Sequence, residues 1–213
     1  MPLLNQPTLY GAAYSTYVRT VRMTLMEKGV PYDLVEIDVF AADGPPIEYL
    51  QKHPFGRIPF FEHDGFRLYE ALPIARYIDE TFDGPMLQPR DVHERARMNQ
   101  IIGILDSYAY RTLVWDIYVE RTRGRSGKPP DEQRIAAALP RAQTCLKALS
   151  GLMGDKVWLA GSDLTLADLH AAPIVAYFLR TAEGKELLAG TPSLVRWWEQ
   201  IAQRASTCAT DPP

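Results

Sequence analysis

The apolar and polar positions are most informative from His53 to Phe82, HPFGRIPFFEHDGFRLYEALPIARYIDETF. Pro59-Phe60-Phe61-Glu62 is a short β-favouring run, His63-Asp64-Gly65 carries an Asp-Gly turn signal, and Phe66-Arg67-Leu68-Tyr69 alternates as a returning strand. That predicts a β-hairpin. Ala71, Ile74, Ala75, Ile78 and Phe82 then recur at helical spacing, so an amphipathic helix follows directly and packs on the hairpin's sheet. Upstream, Thr8-Leu9-Tyr10-Gly11 reads as a brief strand. Val18, Val21 and Leu25 form the apolar face of a helix that Gly29 ends as a C-cap. Tyr32 to Val39 alternates as a second strand with Val35, Ile37 and Val39 on its apolar face. Phe40 to Pro46 is a loop and Ile47 to Lys52 a short helix. The order is β-α-β-α-β-β-α.

Downstream the pattern changes. Gly84, Pro85 and Pro89 mark residues 84–91 as a linker between residues 1–83 and 92–213. Beyond it the periodicity is helical throughout. Met98, Ile101, Ile102 and Leu105 start a long helix that continues through Tyr108, Tyr110, Trp115 and Tyr118. Arg121 to Pro130, RTRGRSGKPP, reads as a solvated basic loop. Ile135, Leu139, Ala142, Leu146 and Leu149 mark another helix, with Pro140 as a candidate kink. Thr165-Leu166-Ala167-Asp168 is a capping-box variant opening an apolar helix to about Phe178, and Thr191 to Arg204 supplies a last helix containing Trp197 and Trp198.

Composition narrows the function. With 213 residues, 46% of them hydrophobic, and a net charge of −3, the chain can bury a substantial core but lacks the basic balance of a nucleic-acid-binding surface. No apolar run approaches the ~20 residues of a membrane span. Met1 to Tyr10 has neither a basic stretch nor an apolar core, so a cytoplasmic location without a membrane is expected. Cys145 and Cys208 fall in no CxxC or metal-ligand spacing and are expected to be reduced thiols. The first 144 residues contain no cysteine, which disfavours thiol-disulfide exchange there. His53, His63, His93 and His170 form no metal spacing, and no metal is expected.

Two features of the hairpin stretch suggest ligand chemistry. In Arg57-Ile58-Pro59 a prolyl bond precedes a strand, and a cis bond there would turn the backbone groups of Ile58 outward, towards a ligand. At Glu70-Ala71 a helix begins, where unspent N–H groups and the positive end of the helix dipole can hold a carboxylate. Pro73 is compatible, since the first turn does not need its N–H. The loop Gly11 to Thr16 enters the first helix and offers several hydroxyls.

Pro54-Phe55-Gly56-Arg57-Ile58-Pro59, followed by Leu68-Tyr69-Glu70-Ala71-Leu72-Pro73-Ile74-Ala75-Arg76-Tyr77-Ile78, resembles the NPFGxVP…LxESxAIxxYL pattern of cytosolic glutathione transferases, over nearly the whole chain. The resemblance implies an α/β thioredoxin-like domain followed by an all-α domain that contributes a hydrophobic substrate site. It also implies a homodimer engaged in detoxification, with glutathione as co-substrate and a small hydrophobic electrophile as acceptor. Within the family the chain is most similar to the bacterial, serine-type (phi-like) members, whose loop matches at Ser15. Ser15 is then the residue that stabilises the glutathione thiolate, a free thiol having a pKa of about 8.5. Tyr14 and Tyr10 are rivals, and a plain N-cap is the structural alternative for Ser15.

The same resemblance implies that Ile58, before Pro59, pairs its N–H and C=O with the cysteinyl part of the tripeptide, and that Glu70 and Ala71 take the γ-glutamyl end. The family's serine is alanine here, which removes about 1 kcal/mol of hydrogen bonding and leaves the Ala71 N–H. Gly44-Pro45 stands where serine-type members keep a His-Lys pair for the glycyl carboxylate. Lys52, His53 or Arg57 could compensate, Arg57 being best placed beside Ile58. Phe55 is a candidate plug into the partner subunit, and Tyr108, Tyr110, Trp115 and Tyr118 are candidates for an electrophile wall. Dehalogenation, ether cleavage, isomerisation, peroxide reduction and a non-catalytic binding module are the other readings the fold allows.

Overall fold

The structure, a computed structural model, describes residues 6–122 and 127–212. It divides into one unit that runs to Met86 and includes the residues from Ala205 onward, and a second unit of Leu87–Arg204.

In the first unit the described elements are β1 (Thr8–Tyr10), α1 (Thr16–Glu27), β2 (Asp33–Val35), α2 (Ile47–Lys52), β3 (Phe60–His63), β4 (Phe66–Tyr69) and α3 (Ala71–Thr81). The sheet order is β2-β1-β3-β4, with β1 and β2 parallel and the other pairs antiparallel. This is the thioredoxin-like arrangement the order of elements predicts. The hairpin closes through Asp64 and Gly65 at φ 50° and 78°, the pair of positive φ values that a tight two-residue loop requires.

Period-two alternation sorts the sheet's side chains. Leu9 and Phe61, paired across β1 and β3, are fully buried on one face, where α1 and α3 supply Val18, Val21, Leu25, Ile74 and Ile78. Tyr10 and Phe60 pair on the other face, edge to face at 5.5 Å, in a small core with Ile37, Tyr49, Val39 and Ile58.

The second strand is shorter than its alternation suggests. β1 ends at Tyr10, so β2 has hydrogen-bonding partners over three residues only, and Gly11 N–H closes the ladder on Val35 C=O at 2.9 Å. Val35 is exposed on this edge, while Ile37 and Val39 still turn into the small core. Gly29 follows the C-cap Lys28 at φ 67°, where a residue without Cβ terminates α1 without strain. Lys28 itself is buried, and its Nζ donates to Asp79 C=O, Asp79 Oδ1 and Pro85 C=O at 3.0–3.2 Å, which ties α1 to the end of α3.

The second unit is helical among its described residues. α4 (Val92–Ile104) is capped by Asp91, whose carboxylate accepts from the His93 and Glu94 N–H groups. It runs into a π-helix, Leu105–Val119, and then α5 (Glu120–Thr122). The sequence predicts a single long α-helix here, and the wider winding is a finding of the structure. Positions five apart share a face in a π-helix, as they do not in an α-helix. Arg111 and Asp116 accordingly meet at 3.2 Å. The buried Asp116 also binds Arg134 at 2.7 Å and Arg141 at 3.1 Å, which fastens this segment to α6 (Glu132–Met153). Pro140 lies inside α6. The basic loop predicted over residues 121–130 falls partly outside the described residues.

α7 (Leu166–Phe178) is buried along its whole length and opens on the predicted capping box. Asp168 is fully buried and accepts from Leu159 N–H, Thr165 N–H, Thr165 Oγ–H and Trp197 Nε1–H at 2.8–2.9 Å. α8 (Ala182–Ala189) and α9 (Pro192–Ile201) complete the unit.

The last helix predicted over 191–204 is therefore not the last. A further helix, α10 (Ala205–Thr210), returns to the first unit and packs on α1. Arg19 donates to Asp211 at 2.9 Å and Ser206 Oγ–H to Glu27.

Candidate active site

The candidate site lies where β1 hands over to α1, where Ile58 precedes β3, and where α3 begins. Gly11 sits at φ 153° between Val18 and Ile58. A Cβ at that position would lie 2.5 Å from Val18 Cγ2 and 3.2 Å from Ile58 Cβ. Only glycine lets the loop leaving β1 run this close to Ile58. Gly11→Ala is therefore expected to push Ile58 or α1 aside, with several-fold weaker retention on immobilised glutathione and little change in helix content by circular dichroism.

Ser15 occupies the N-cap of α1, with Arg19 N–H on its C=O at 2.8 Å. Its hydroxyl makes no capping hydrogen bond and stands half-buried beside the unspent N–H groups of the first turn. Thr16, buried next to it, accepts from Thr20 through its C=O. Tyr14 is exposed, and burial of its phenol together with the nearby Asp38 and Glu36 charges raises its pKa. Tyr10 is half-buried in the opposite small core, with Lys52 Nζ 4.9 Å from the centre of its ring.

The Ile58–Pro59 bond is cis. Ile58 forms no backbone hydrogen bond with the described residues, so its N–H and C=O are available to an extended peptide. Pro59 is buried beneath it. Arg57 C=O is fixed by Tyr49 O–H at 2.6 Å, which anchors the approach to Ile58. Tyr49, predicted only as part of a short helix, is thus a support of the site that periodicity alone does not single out.

Glu70, the N-cap of α3, stands at φ 75°, a left-handed conformation that non-glycine residues adopt at a cost of ~1–3 kcal/mol. The strained turn exposes Glu70 and buries Ala71 at the first helical position, with the early N–H groups of α3 unspent.

The three cationic candidates stand in different surroundings. Lys52 pairs with Glu62 at 3.3 Å and packs over Tyr10 and Phe60. Arg57 is exposed and forms no ion pair with the described residues. His53 is buried among Tyr49, Phe55 and Tyr69, its ring 4.7 Å from that of Tyr69, and its Nδ1 finds no partner among the described residues. Burial lowers the His53 pKa, with Arg57 acting in the same direction and Glu70 and a main-chain hydrogen bond against it. A histidine depressed in the folded state takes up fewer protons there than in the unfolded chain. Its stabilising effect is complete above the unfolded pKa of about 6.5 and is lost as pH falls from there through the folded value. Denaturant unfolding should thus show the midpoint dropping below about pH 6.5, and His53→Asn should flatten that drop.

In the helical unit Tyr108 is exposed, Tyr110 and Trp115 are half-buried, and Tyr118 stacks on Tyr177 at 4.6 Å. His170, which fits no metal spacing, donates from Nε2–H to Asp106 Oδ1 at 2.9 Å. Among the described residues no group of three or more His, Cys, Asp or Glu is set to hold a metal, and no helix is long and apolar enough to cross a membrane.

A thioredoxin-like unit that presents an open main-chain edge and two helix N-termini, in a chain that continues as a helical unit, defines a class of two-unit proteins equipped to hold an extended peptide with carboxylate ends. Comparison with known proteins places the chain within it. Residues 9–86 match the glutathione S-transferase N-terminal domain and residues 108–205 the C-terminal domain. Glutathione S-transferase hmp2 of Hypomyces subiculosus is 31% identical over 92% of this chain and 93% of its own length, and glutathione S-transferase F12 of Arabidopsis thaliana is 26% identical over 93% and 94%. The crystal structure of glutathione transferase F7 from Populus trichocarpa superposes with a TM-score of 0.84 at 28% identity, covering 96% of this chain and 97% of that one. A glutathione S-transferase from Rhodospirillum rubrum superposes at 0.82 with 25% identity, covering 96% and 91%. The chain belongs to the glutathione S-transferase family. It is a glutathione transferase, and glutathione is its co-substrate.

Proposed function

We propose that this chain is a serine-type, phi-like transferase in which Ser15 activates the glutathione thiol for attack on a small hydrophobic electrophile. The observation that supports this most is the Ser15 hydroxyl, which stands at the N-terminus of α1 without being spent on a cap. A hydroxyl donating to sulfur favours the charged form, and the helix dipole acts in the same sense, so the thiolate is populated near neutral pH. Its lone pair attacks the electrophilic carbon, a thioether forms, and the leaving group departs with the bond electrons. Tyr14 is the alternative donor.

Binding rests on backbone. The Ile58 N–H and C=O hold the cysteinyl residue in the manner of an added strand, with Pro59 fixing the turn. The Ala71 N–H and the Glu70 carboxylate receive the carboxylate and ammonium of the γ-glutamyl end. Arg57 takes the glycyl carboxylate, since Lys52 is engaged with Glu62 and His53 is buried among Tyr49, Phe55 and Tyr69. The loop 40–46, FAADGPP, brings no cation of its own. Tyr108, Tyr110, Trp115 and Tyr118 supply apolar contacts for the acceptor. Phe55, 69% exposed, plugs a second copy of the chain in a homodimer, and the enzyme works in detoxification in the cytoplasm.

Retention on immobilised glutathione followed by conjugation of chlorodinitrobenzene tests this reading. Retention and turnover by the wild type with loss of turnover in Ser15→Ala supports it. Turnover indifferent to Ser15→Ala transfers the role to Tyr14 or Tyr10, and retention without turnover removes the conjugation reading.

A further inference from the structure

The loop that carries Ser15 is gripped at a single residue, through both of its main-chain polar groups. Ala13 N–H donates to both carboxylate oxygens of Glu36, at 3.2 and 3.3 Å, and Ala13 C=O accepts from Arg22 Nη1 at 3.2 Å. Arg22 reaches further. Its Nε donates to the Tyr32 hydroxyl at 3.0 Å and its Nη2 to Ala209 C=O at 3.5 Å. One guanidinium therefore joins the Ser15 loop, the approach to β2 and α10. Arg22 and Glu36 stand outside every motif that marks the glutathione site.

We propose that Arg22, with Glu36, is a positioning residue for thiol activation: the two hold Ala13 by its C=O and its N–H and so set the Ser15 hydroxyl, two residues on, in line with the sulfur. The geometry favours this because both main-chain groups of Ala13 are held by side chains from outside the loop, in addition to Gly11 N–H on Val35 C=O and Ser15 N–H on Ala12 C=O. Both groups act through planar, multi-atom donors and acceptors. Ala13 N–H is shared between both oxygens of Glu36, and the guanidinium that holds Ala13 C=O through Nη1 is itself fixed by Tyr32 and Ala209 through its other nitrogens, so the contact on Ala13 is anchored in direction as well as distance. A hydroxyl misplaced by about 1 Å loses much of its effect on a reacting atom. The inference rests on Ser15 being the activating hydroxyl and adds that its placement is set by Arg22, Glu36 and the C-terminal helix.

The test is the pH profile of conjugation and the ultraviolet absorbance of the bound thiolate in the full-length chain. Arg22→Ala is expected to lower kcat about tenfold near pH 6.5, to raise the apparent pKa of bound glutathione by about one unit, and to recover activity above about pH 9, where the thiol ionises unaided. KM for glutathione should change less than about threefold, since main-chain contacts hold the tripeptide. Arg22→Lys, which keeps one contact of the fork, should restore part of the profile. Glu36→Gln, which keeps one oxygen on Ala13 N–H, should lie closer to wild type than Glu36→Ala, and this half of the clamp stands exposed and tests the inference even if Arg22→Ala folds poorly. In the Ser15→Ala background Arg22→Ala should add little, because the two act as a unit. An unshifted profile in both Arg22→Ala and Glu36→Ala, alongside an impaired Ser15→Ala, overturns the positioning role alone. A Ser15→Ala enzyme with wild-type activity overturns the underlying assignment instead.

Discussion

Ser15→Ala is expected to lower conjugation of chlorodinitrobenzene near neutral pH by about 10²-fold or more, the range in which removal of one well-placed donor to a developing or reacting anion falls. The loss should appear in kcat, with glutathione retention nearly intact, because the contacts proposed to hold the tripeptide are main-chain groups of Ile58 and Ala71 that the substitution does not touch. Without the hydroxyl, the bound thiol should titrate nearer its ordinary value of about 8.5, so the deficit should shrink as the medium becomes alkaline. Stopped-flow rates from mildly acidic to alkaline pH, together with affinity chromatography, separate the two parameters. Ser15→Thr retains a hydroxyl and should recover part of the rate. Because Ser15 makes no cap hydrogen bond, its removal should cost less stability than the ~1 kcal/mol of a working N-cap.

Asp168→Ala should have the largest effect on folding. Its carboxyl is fully buried and receives four donors, and burial raises its pKa against the pull of those donors. Alanine leaves the Leu159 and Thr165 N–H groups and the Trp197 indole N–H without an acceptor in a site closed to water. At ~1–3 kcal/mol for each unsatisfied buried donor, the sum is about 4 kcal/mol or more, against a total stability of about 5–15 kcal/mol. Denaturant unfolding of Asp168→Ala should show a midpoint reduced by a third or more relative to wild type, or no soluble protein, while Asp168→Asn, with one acceptor oxygen, should fall between. Thr165→Ala removes a single hydroxyl and should cost only about 1 kcal/mol. A midpoint for Asp168→Ala within error of wild type would show that those donors find water.

Much of the fold was legible because its signals are local. The Asp-Gly turn, the short helix 47–52, the face of Ala71, Ile74, Ala75 and Ile78, and the Thr165–Asp168 box each lie within one element's reach, where side-chain periodicity and cap chemistry decide the outcome. The errors arose where a partner elsewhere in the chain decides. Alternation over Tyr32 to Val39 reports which side chains turn inward, not how far a neighbouring strand extends, and β1 ends after three residues. The π winding after Leu105 leaves the apolar spacing recognisable but changes which polar positions meet, so Arg111 and Asp116 carry no sign of their pairing at helical period. The helix from Ala205 is short and polar on much of its surface, with no stripe for periodicity to detect.

The candidate site divides in the same way. Ile58-Pro59 and Glu70-Ala71 stand out as candidates because a prolyl junction and a helix start are visible in sequence, and the stretch carries a family pattern. The surroundings of the three cations could not. Whether Lys52, His53 or Arg57 is left for a ligand depends on Glu62 and on the ring of Tyr69, which only folding brings near them. Gly11 gives no hint of Val18 and Ile58 until the chain has closed. Arg22 and Glu36 meet at Ala13 through contacts with no periodicity at all.

The return of α10 bears on how the protein is made. An emerging polypeptide can form β1 through α3 early, but the side of α1 opposite the sheet stays bare until the ribosome has also produced the residues that follow the helical unit. Synthesis should therefore yield a first unit that is loosely organised and open to proteolysis along α1, and that tightens only when Asp211 becomes available to Arg19.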